Sequence, residues 1–466
     1  MRFPIRAAAF ALAVAAPLYA QTPATPAAAV PAAAADAAPA MTLDDAIQVA
    51  LKNNELIALS DQAAKKARAR VREVAAGALP KLNASAQYTK QKESVGELPF
   101  GPNDPETGKP TLVRVVFNPA TSKTATATAS QLLDVFGVVR RGRSIASISA
   151  RVAELNKLRS RSEVIYQTRA AYYNVLRAQG AVDVATASVT DVEEQLRLAQ
   201  ANLAAGTAPQ FDVTRAQVTL ADRQQTLINT KDQLSLAGSA LNNVLGRDVN
   251  APVSLAAVVE APNREVDITG QTEKALESRP EVIQADLGVK ANREVVGLQR
   301  LGTYPQFALS GTYQHDFTAA GLSPSNAYWS YGVSVSLPLY EGGATRARVD
   351  QAQADERSAE LTRTQLRRGV ALEVRQSGLL VQEAADRFDV ADKSVALAEE
   401  ALRLARVRYE NGVATQLEVT DAETQLSQAR FNRNNTRYDY LTARAAFDAS
   451  LMGRLSSGVQ SSGGGS

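Results

Sequence analysis

Residues 203–220 read LAAGTAPQFDVTRAQVTL, and residues 409–426 read YENGVATQLEVTDAETQL. At an offset of 206 the two share Gly206/Gly412, Ala208/Ala414, Gln210/Gln416, Val213/Val419, Thr214/Thr420, Ala216/Ala422 and Leu220/Leu426. A period this long is not that of a solenoid, whose units run to about 20–50 residues. It duplicates one half of an architecture.

Upstream of each copy an apolar seam steps by three and four. In the first half it is Val175, Ala178, Val182, Ala185, Val189, Val192, Leu196, Ala199 and Leu203. The second half repeats it as Val381, Ala384, Phe388, Ala391, Val395, Ala398, Leu402, Ala405 and Tyr409. This is a coiled-coil seam in which frequent alanines let backbones approach closely. The helical pattern spans about 140–205 and 344–411, roughly 100 Å of helix in each case. No globular core needs that length. Gly206 and Gly412 suit C-terminal helix caps. Return helices are predicted from near Phe211 and Leu417, with seams Val213, Leu220, Leu227, Leu234, Leu241 and Val419, Leu426, Arg433, Tyr440, Phe447. Arg433 breaks the second seam and is read as a surface position.

Ahead of the long helices each half carries a helical segment and two period-two stretches. Residues 42–79 open with Thr42 as N-cap and Asp44 and Asp45 in the first turn, where acids meet the positive helix end. The matching segment, 268–302, shares an Ala-Leu…Glu-(Leu/Val)-Ile pattern, with one extra residue near Pro280. Then Leu82, Ala84, Ala86, Tyr88 alternate with Asn83, Ser85, Gln87, Thr89, and Ala125, Ala127, Ala129 with Thr124, Thr126, Thr128, Ser130. In the second half Phe307, Leu309, Gly311, Tyr313, Phe317 and Trp329, Tyr331, Val333, Val335, Leu337 alternate with small polar residues. Period two is a strand signal. Here the polar face is uncharged and rich in hydroxyls, and the apolar face carries aromatics near its ends, which fits a barrel wall between lipid and water. Residues 93–123 and 318–326 read as a long and a short outer loop. Four strands cannot close a membrane barrel, whose smallest examples have about eight. Unpaired backbone groups cost several kcal/mol each in lipid, so several copies must share one barrel.

Composition excludes much else. The chain has no cysteine and one histidine, His315, so thiolate chemistry, a histidine-rich metal site and a Ser-His-Asp triad are not expected. Fifty-one basic against 48 acidic residues leave no field for nucleic acid. Arg2, Arg6, the apolar run Ala7–Ala16 and Leu18-Tyr19-Ala20 read as a secretory signal peptide, residues 1–20. The expected organisation continues with an Ala/Pro-rich tether (21–41), a first repeat (42–250), a linker (251–267), a second repeat (268–453) and a Gly/Ser tail (454–466).

The opening Thr42-Leu43-Asp44-Asp45-Ala46-Ile47, the strand exit Leu337-Pro338-Leu339-Tyr340-Glu341-Gly342-Gly343, Arg408-Tyr409 with Gly412, and Leu417-Glu418-Val419 with Asp421-Ala422 resemble the TolC family of outer-membrane efflux proteins. The resemblance covers about residues 42–453. It implies an α+β membrane protein with an internal two-fold repeat. Four strands per chain would join a trimeric twelve-stranded β-barrel, continued by a long α-helical coiled-coil barrel through the periplasm. It further implies a homotrimer in outer-membrane lipid, docked to a periplasmic adaptor and an inner-membrane pump, with no cofactor and no resident metal. In the family the tunnel closes at the tip turns. Carried over by position, Asp421 falls on the constriction's acidic ring, which would attract cations and to which Glu418 would add. Asp212 and Tyr409 fall on positions joining neighbouring helix pairs. Ala414 stands where the family's best-known member has a gating arginine, a departure from the pattern of a latch onto Asp212. Gly206, Gly412, Ala208 and Ala414 mark the tip turns for adaptor docking, and Trp329, Tyr340 and Phe136 the aromatic belts.

The function expected is a passive exit duct for small toxic compounds. The alternative is the exit duct of a type I protein secretion system. An enzyme using paired carboxylates is disfavoured because the acids follow the solvent side of the heptads. A coiled-coil rod of the cell envelope is disfavoured by the duplicated amphipathic strands.

Overall fold

Thr42 caps the first helix reciprocally: its hydroxyl accepts from the Asp45 backbone N–H at 3.2 Å, and the Asp45 carboxylate accepts from the Thr42 N–H at 3.2 Å. The computed structural model describes residues 40–258, 261–318, 326–411 and 413–453. It divides into Met1–Ala40, of which only Ala40 is described, and Met41–Ser466. The signal-peptide and tail readings, and Gly412, therefore lie outside the described residues, as does the tether except for Ala40 and Met41.

The first half runs α1 (Leu43–Asn53), α2 (Glu55–Ala75), β1 (Lys81–Lys90), β2 (Ser94–Leu98), β3 (Val113–Asn118), β4 (Thr121–Leu133), α3 (Val138–Ala204) and α4 (Gln210–Val244). The second runs α5 (Ile268–Ser278), α6 (Pro280–Arg300), β5 (Gln306–Asp316), β6 (Ala327–Ser336), α7 (Ala344–Glu410) and α8 (Gln416–Met452). The long helices α3 and α7 have 67 residues each. Every boundary from the start of α1 to the start of β1 recurs between α5 and β5 at one offset of 225 residues. That corrects the extra residue expected near Pro280: Pro280 answers to Glu55, and the motif match one position out is incidental. Both opening segments also break where the sequence reads as one helix. At Asn54 the side-chain oxygen caps Leu56 N–H at 3.0 Å while its amide donates to the Val244 carbonyl at 2.9 Å. At Arg279 the backbone turns extended, and Pro280 takes the first helical position, where its missing N–H costs nothing.

Four strands form one antiparallel sheet in the order β1-β4-β5-β6. The register sets Tyr88 against Lys123, Ala84 against Ala127, Ala127 against Tyr313, and Tyr313 against Trp329. One face is therefore built from Leu82, the alanines of β1 and β4, Leu309, Tyr313, Trp329, Tyr331, Val333 and Val335. The other carries Asn83, Ser85, Thr126, Thr128, Ser310, Thr312, Ser330 and Ser334. The stretch 93–123, expected as one long loop, contains two strands. Its Val113-Arg114-Val115-Val116-Phe117 run pairs with Ser94–Leu98 as a separate hairpin, as β-branched residues favour.

The main core lies in the helical body, where Tyr172, Leu241, Leu245, Val374, Val381, Tyr440 and Leu441 are almost wholly buried. The segment joining the halves is packed onto this body. Leu255 bridges Met41 in parallel, and the Tyr172 hydroxyl reaches the carbonyls of Met41 at 2.9 Å and Ala256 at 2.7 Å. Asn263 N–H is held by the Tyr440 hydroxyl at 2.9 Å.

Candidate functional site: the membrane face and the hairpin tips

No described helix is long and apolar enough to cross a membrane. The sheet is another matter. In a soluble protein one sheet face would be covered; here Trp329 is 70% exposed, Tyr331 79%, Leu82 78% and Val333 65%, with no described helix over them. An apolar face of this extent marks a membrane or protein contact. Trp329 stacks on Tyr331 at 5.4 Å. The strand ends at Lys81, Leu133, Gln306 and Ser336 adjoin the helices; those at Lys90, Thr121, Asp316 and Ala327 point away. Phe136 sits at the helix side, tilted against Tyr304 at 5.0 Å and Phe307 at 6.3 Å. Tyr340, 90% exposed, follows β6 at the same side.

At the far ends of the long helices stand the two corners. In the first, the Gly206 N–H bonds to the Leu203 carbonyl and the Thr207 N–H to the Asn202 carbonyl, both at 2.9 Å. This is a Schellman cap, and it requires the left-handed backbone that Gly206 adopts at φ +72°. In the second, the Val413 N–H bonds to the Arg408 carbonyl at 3.0 Å, the same outer bond. Ala208 and Ala414 are half-buried in the turns.

The return helices start differently. Thr415 forms a full capping box with Glu418, and Glu418 also meets Arg408 at 3.4 Å. Pro209 stands in place of Thr415 and offers no side-chain cap. Asp212 and Glu418 are thus matching third residues of matching helices, placed where a carboxylate meets the helix dipole. Asp421 is exposed one turn on, with no ion pair among the described residues. Arg215, its counterpart, lies over the Phe211 ring at 5.5 Å. Tyr409 packs on the small core of Val395, Leu402, Val419, Ala422, Leu426 and Ala429. The structure shows no hydrogen bond between Tyr409 and Asp212 among the described residues; the two sit on different hairpins.

What binds the hairpins side by side is a cluster that sequence reasoning missed. Arg406 of α7 reaches Glu423 of α8 at 2.9 Å and Asp191 of α3 at 3.6 Å. Arg223 of α4 donates to the Thr424 hydroxyl of α8 at 3.0 Å. Burial pushes the Glu423 carboxyl above the ordinary carboxylate range, while Arg406 pulls it back. A gap of about 10 Å³ lies between Asp191, Arg223, Glu423 and Thr424, the room of one water. The signal was present: Arg406 and Glu423 are opposite charges nearly equidistant from the turn at Ala414. In the first half the uncharged Gln200 and Gln217 take their places. Higher up, Asn434 of α8 donates to the Arg177 carbonyl of α3 at 2.9 Å. Among the described residues no cluster of acids and histidines is arranged to hold a metal ion.

A family model described as "Outer membrane efflux protein" matches residues 46–247 and 272–453, one span in each half. Outer membrane protein OprJ of Pseudomonas aeruginosa is 26% identical over 384 residues, covering 81% of this chain and 77% of that protein. Proteases secretion protein PrtF of Dickeya chrysanthemi is 25% identical over 296 residues, covering 62% and 64%. The crystal structure of the outer membrane protein VceC from Vibrio cholerae superposes with a TM-score of 0.72, at 20% identity, over 88% of this chain and 96% of that one. At that identity the likeness shows a shared fold.

Proposed function

The chain belongs to the outer membrane efflux protein family, and from that premise we propose that three copies form one conduit carrying small toxic compounds out through the outer membrane. The protein is an outer-membrane channel component, not an enzyme. The observation that carries the proposal is the uncovered apolar face on a sheet with two open edges, β1 and β6. In lipid those edges demand partners, and a neighbouring copy supplies them: β1 of one pairs with β6 of the next. Three copies give twelve strands, with Trp329 in the outer aromatic belt and Tyr340 and Phe136 in the inner one. The hydroxyl-rich face then lines the lumen.

Below the barrel the four long helices of each copy continue the wall. Transport energy comes from elsewhere: a periplasmic adaptor docks at the turns around Gly206, Ala208, Gly412 and Ala414, and an inner-membrane pump drives the cargo. At the tip, Asp421 of each copy faces the axis as an acidic ring that collects cations, with Glu418 behind it. Asp212 and Tyr409 hold the adjoining hairpins in register. Like charges brought together favour bound cations. A second reading, a duct for secreted proteins, is favoured by the similarity to PrtF.

Reconstitution into planar bilayers tests the conduit. The expected result is stepwise ion conductance; absence of conductance from a folded trimer would overturn it. Retention of a toxic dye, against retention of an exported protease, in cells lacking the protein separates the two cargoes.

A further inference from the structure

The lipid-facing side of the sheet has unequal ends. On that face Leu82, Ala84, Ala86, Ala125, Ala127, Ala129, Leu309, Tyr313 and the β6 row carry no charge. The end beside the helices is closed by Leu133, Phe307 and Val335. The end away from the helices is basic. Tyr88 pairs across β4 with Lys123, and Lys90, two residues on, falls on the same face. Lys123 Nζ stands 6.0 Å from the centre of the Tyr88 ring. Its backbone is clamped by Phe317 N–H at 2.8 Å and by the Thr318 hydroxyl at 3.1 Å. His315 and Phe317 meet edge to face at 4.5 Å beside it. Within the four-stranded sheet the only carboxylate, Asp316, points to the opposite face, and no carboxylate pairs with Lys90 or Lys123 among the described residues. The two lysines are diagonal neighbours across the β1–β4 pair, where like charges disfavour one another and a bound anion offsets the repulsion.

We infer that Lys90 and Lys123 seat the phosphate of a phosphorylated lipid headgroup in the outer leaflet. Tyr88 and Phe317 form the floor at headgroup level, and the acyl chains run down the shallow alanine rows of β1 and β4. The inference rests on the proposed membrane orientation, in which the end away from the helices faces outward. Charge complementarity names the occupant. A cation at the headgroup depth of an anionic surface contributes about 1 kcal/mol, so the occupant is a net-anionic headgroup; the phosphate of a zwitterionic one is already balanced by its own ammonium.

The chain's single tryptophan permits a direct test. The full-length protein carrying W329F and A125W places the only indole just below Lys123. It is reconstituted in phosphatidylcholine vesicles containing a minor fraction of lipid brominated on its acyl chains, either phosphatidic acid or phosphatidylcholine. The expected result is quenching by brominated phosphatidic acid with an apparent affinity at least about five-fold above that of brominated phosphatidylcholine. K90Q/K123Q should abolish that preference, K90R/K123R should keep it, and high salt should collapse it without any substitution. Equal quenching by both lipids, or a preference that survives both K90Q/K123Q and high salt, overturns the inference. Conductance is read on the same preparations. A protein that does not conduct yet prefers phosphatidic acid contradicts the conduit and leaves the lipid site standing, and the reverse outcome does the opposite.

Discussion

Asp421 and Glu423 lie two residues apart and do different things. Asp421 points to solvent from the first turns of α8, whereas Glu423 is buried between three helices under Arg406. Replacing Asp421 with Ala should raise the divalent-cation concentration that half-blocks conductance by roughly tenfold, the scale of a 1.4 kcal/mol loss. Unchanged block removes Asp421 from the constriction. Glu423 makes a prediction of opposite character. Burial raises its folded pKa above 4.5, so the folded tip binds a proton more readily than the unfolded chain. Its contribution to stability is therefore greatest in acid and is lost as pH rises through the raised value. Glu423→Gln should flatten that dependence and leave the tip at least as stable at neutral pH. Arg406→Ala leaves the carboxylate buried alone and should cost about 1–3 kcal/mol at neutral pH. Hydrogen exchange of the α7–α8 corner across pH reads both; a pH profile identical in Glu423→Gln and the parent contradicts the assignment.

At the scale of elements, two glycines are tied to geometry. A Cβ at Gly180 would clash with Asn434 Oδ1, and Asn434 cannot swing away without dropping its bond to the Arg177 carbonyl. Gly180→Ala should destabilise the α3–α8 contact by about 1–3 kcal/mol, read as a lower midpoint in denaturant. Gly206→Ala forces a side chain into the left-handed region at about 1–2 kcal/mol. It should speed hydrogen exchange in residues 200–212 while the rest of the helix keeps its protection.

The same elements show what the sequence made legible. Strict periods announced α3, α7 and the four sheet strands, because a helix seam repeated over nine positions and a two-sided strand have no other consistent reading. The helix breaks at Asn54 and Arg279 were not legible. The first depends on a cap whose other partner, Val244, lies 190 residues away. The β2–β3 hairpin was hidden inside a stretch whose Gly and Pro content reads as loop. At the tip, the corners were legible from Gly206 and its repeat, and the Arg406–Glu423 pair had a signal in its charges, but its lateral reach to Asp191 and the Arg223–Thr424 bond were not legible, since they cross between hairpins that only the fold brings together.

For the whole molecule, duplication supplies more than symmetry. The halves share one offset of 225 residues up to the first strands and another of 206 in the long helices, and the longer first-half strand connection absorbs the difference. The body is fastened where the halves meet, through Tyr172 to Met41 and Ala256. Tyr172→Phe should lower global stability by about 1 kcal/mol without altering assembly, measured as the thermal midpoint of the intact oligomer. The tips differ where the halves differ, with Thr415, Glu418 and Asp421 answering to Pro209, Asp212 and Arg215.

The claim on which the rest depends is that β1 of one copy pairs with β6 of the next. The chain has no cysteine, so introduced pairs report without background. One cysteine is placed by Ala84→Cys in β1, and a second is scanned from Ser330 to Ser336 in β6, both in the same chain, followed by mild oxidation in the membrane. A covalently closed trimer on denaturing gels, sharply at one register, is the expected result. A scan that yields only unlinked chains, or links only within a single chain, would contradict it.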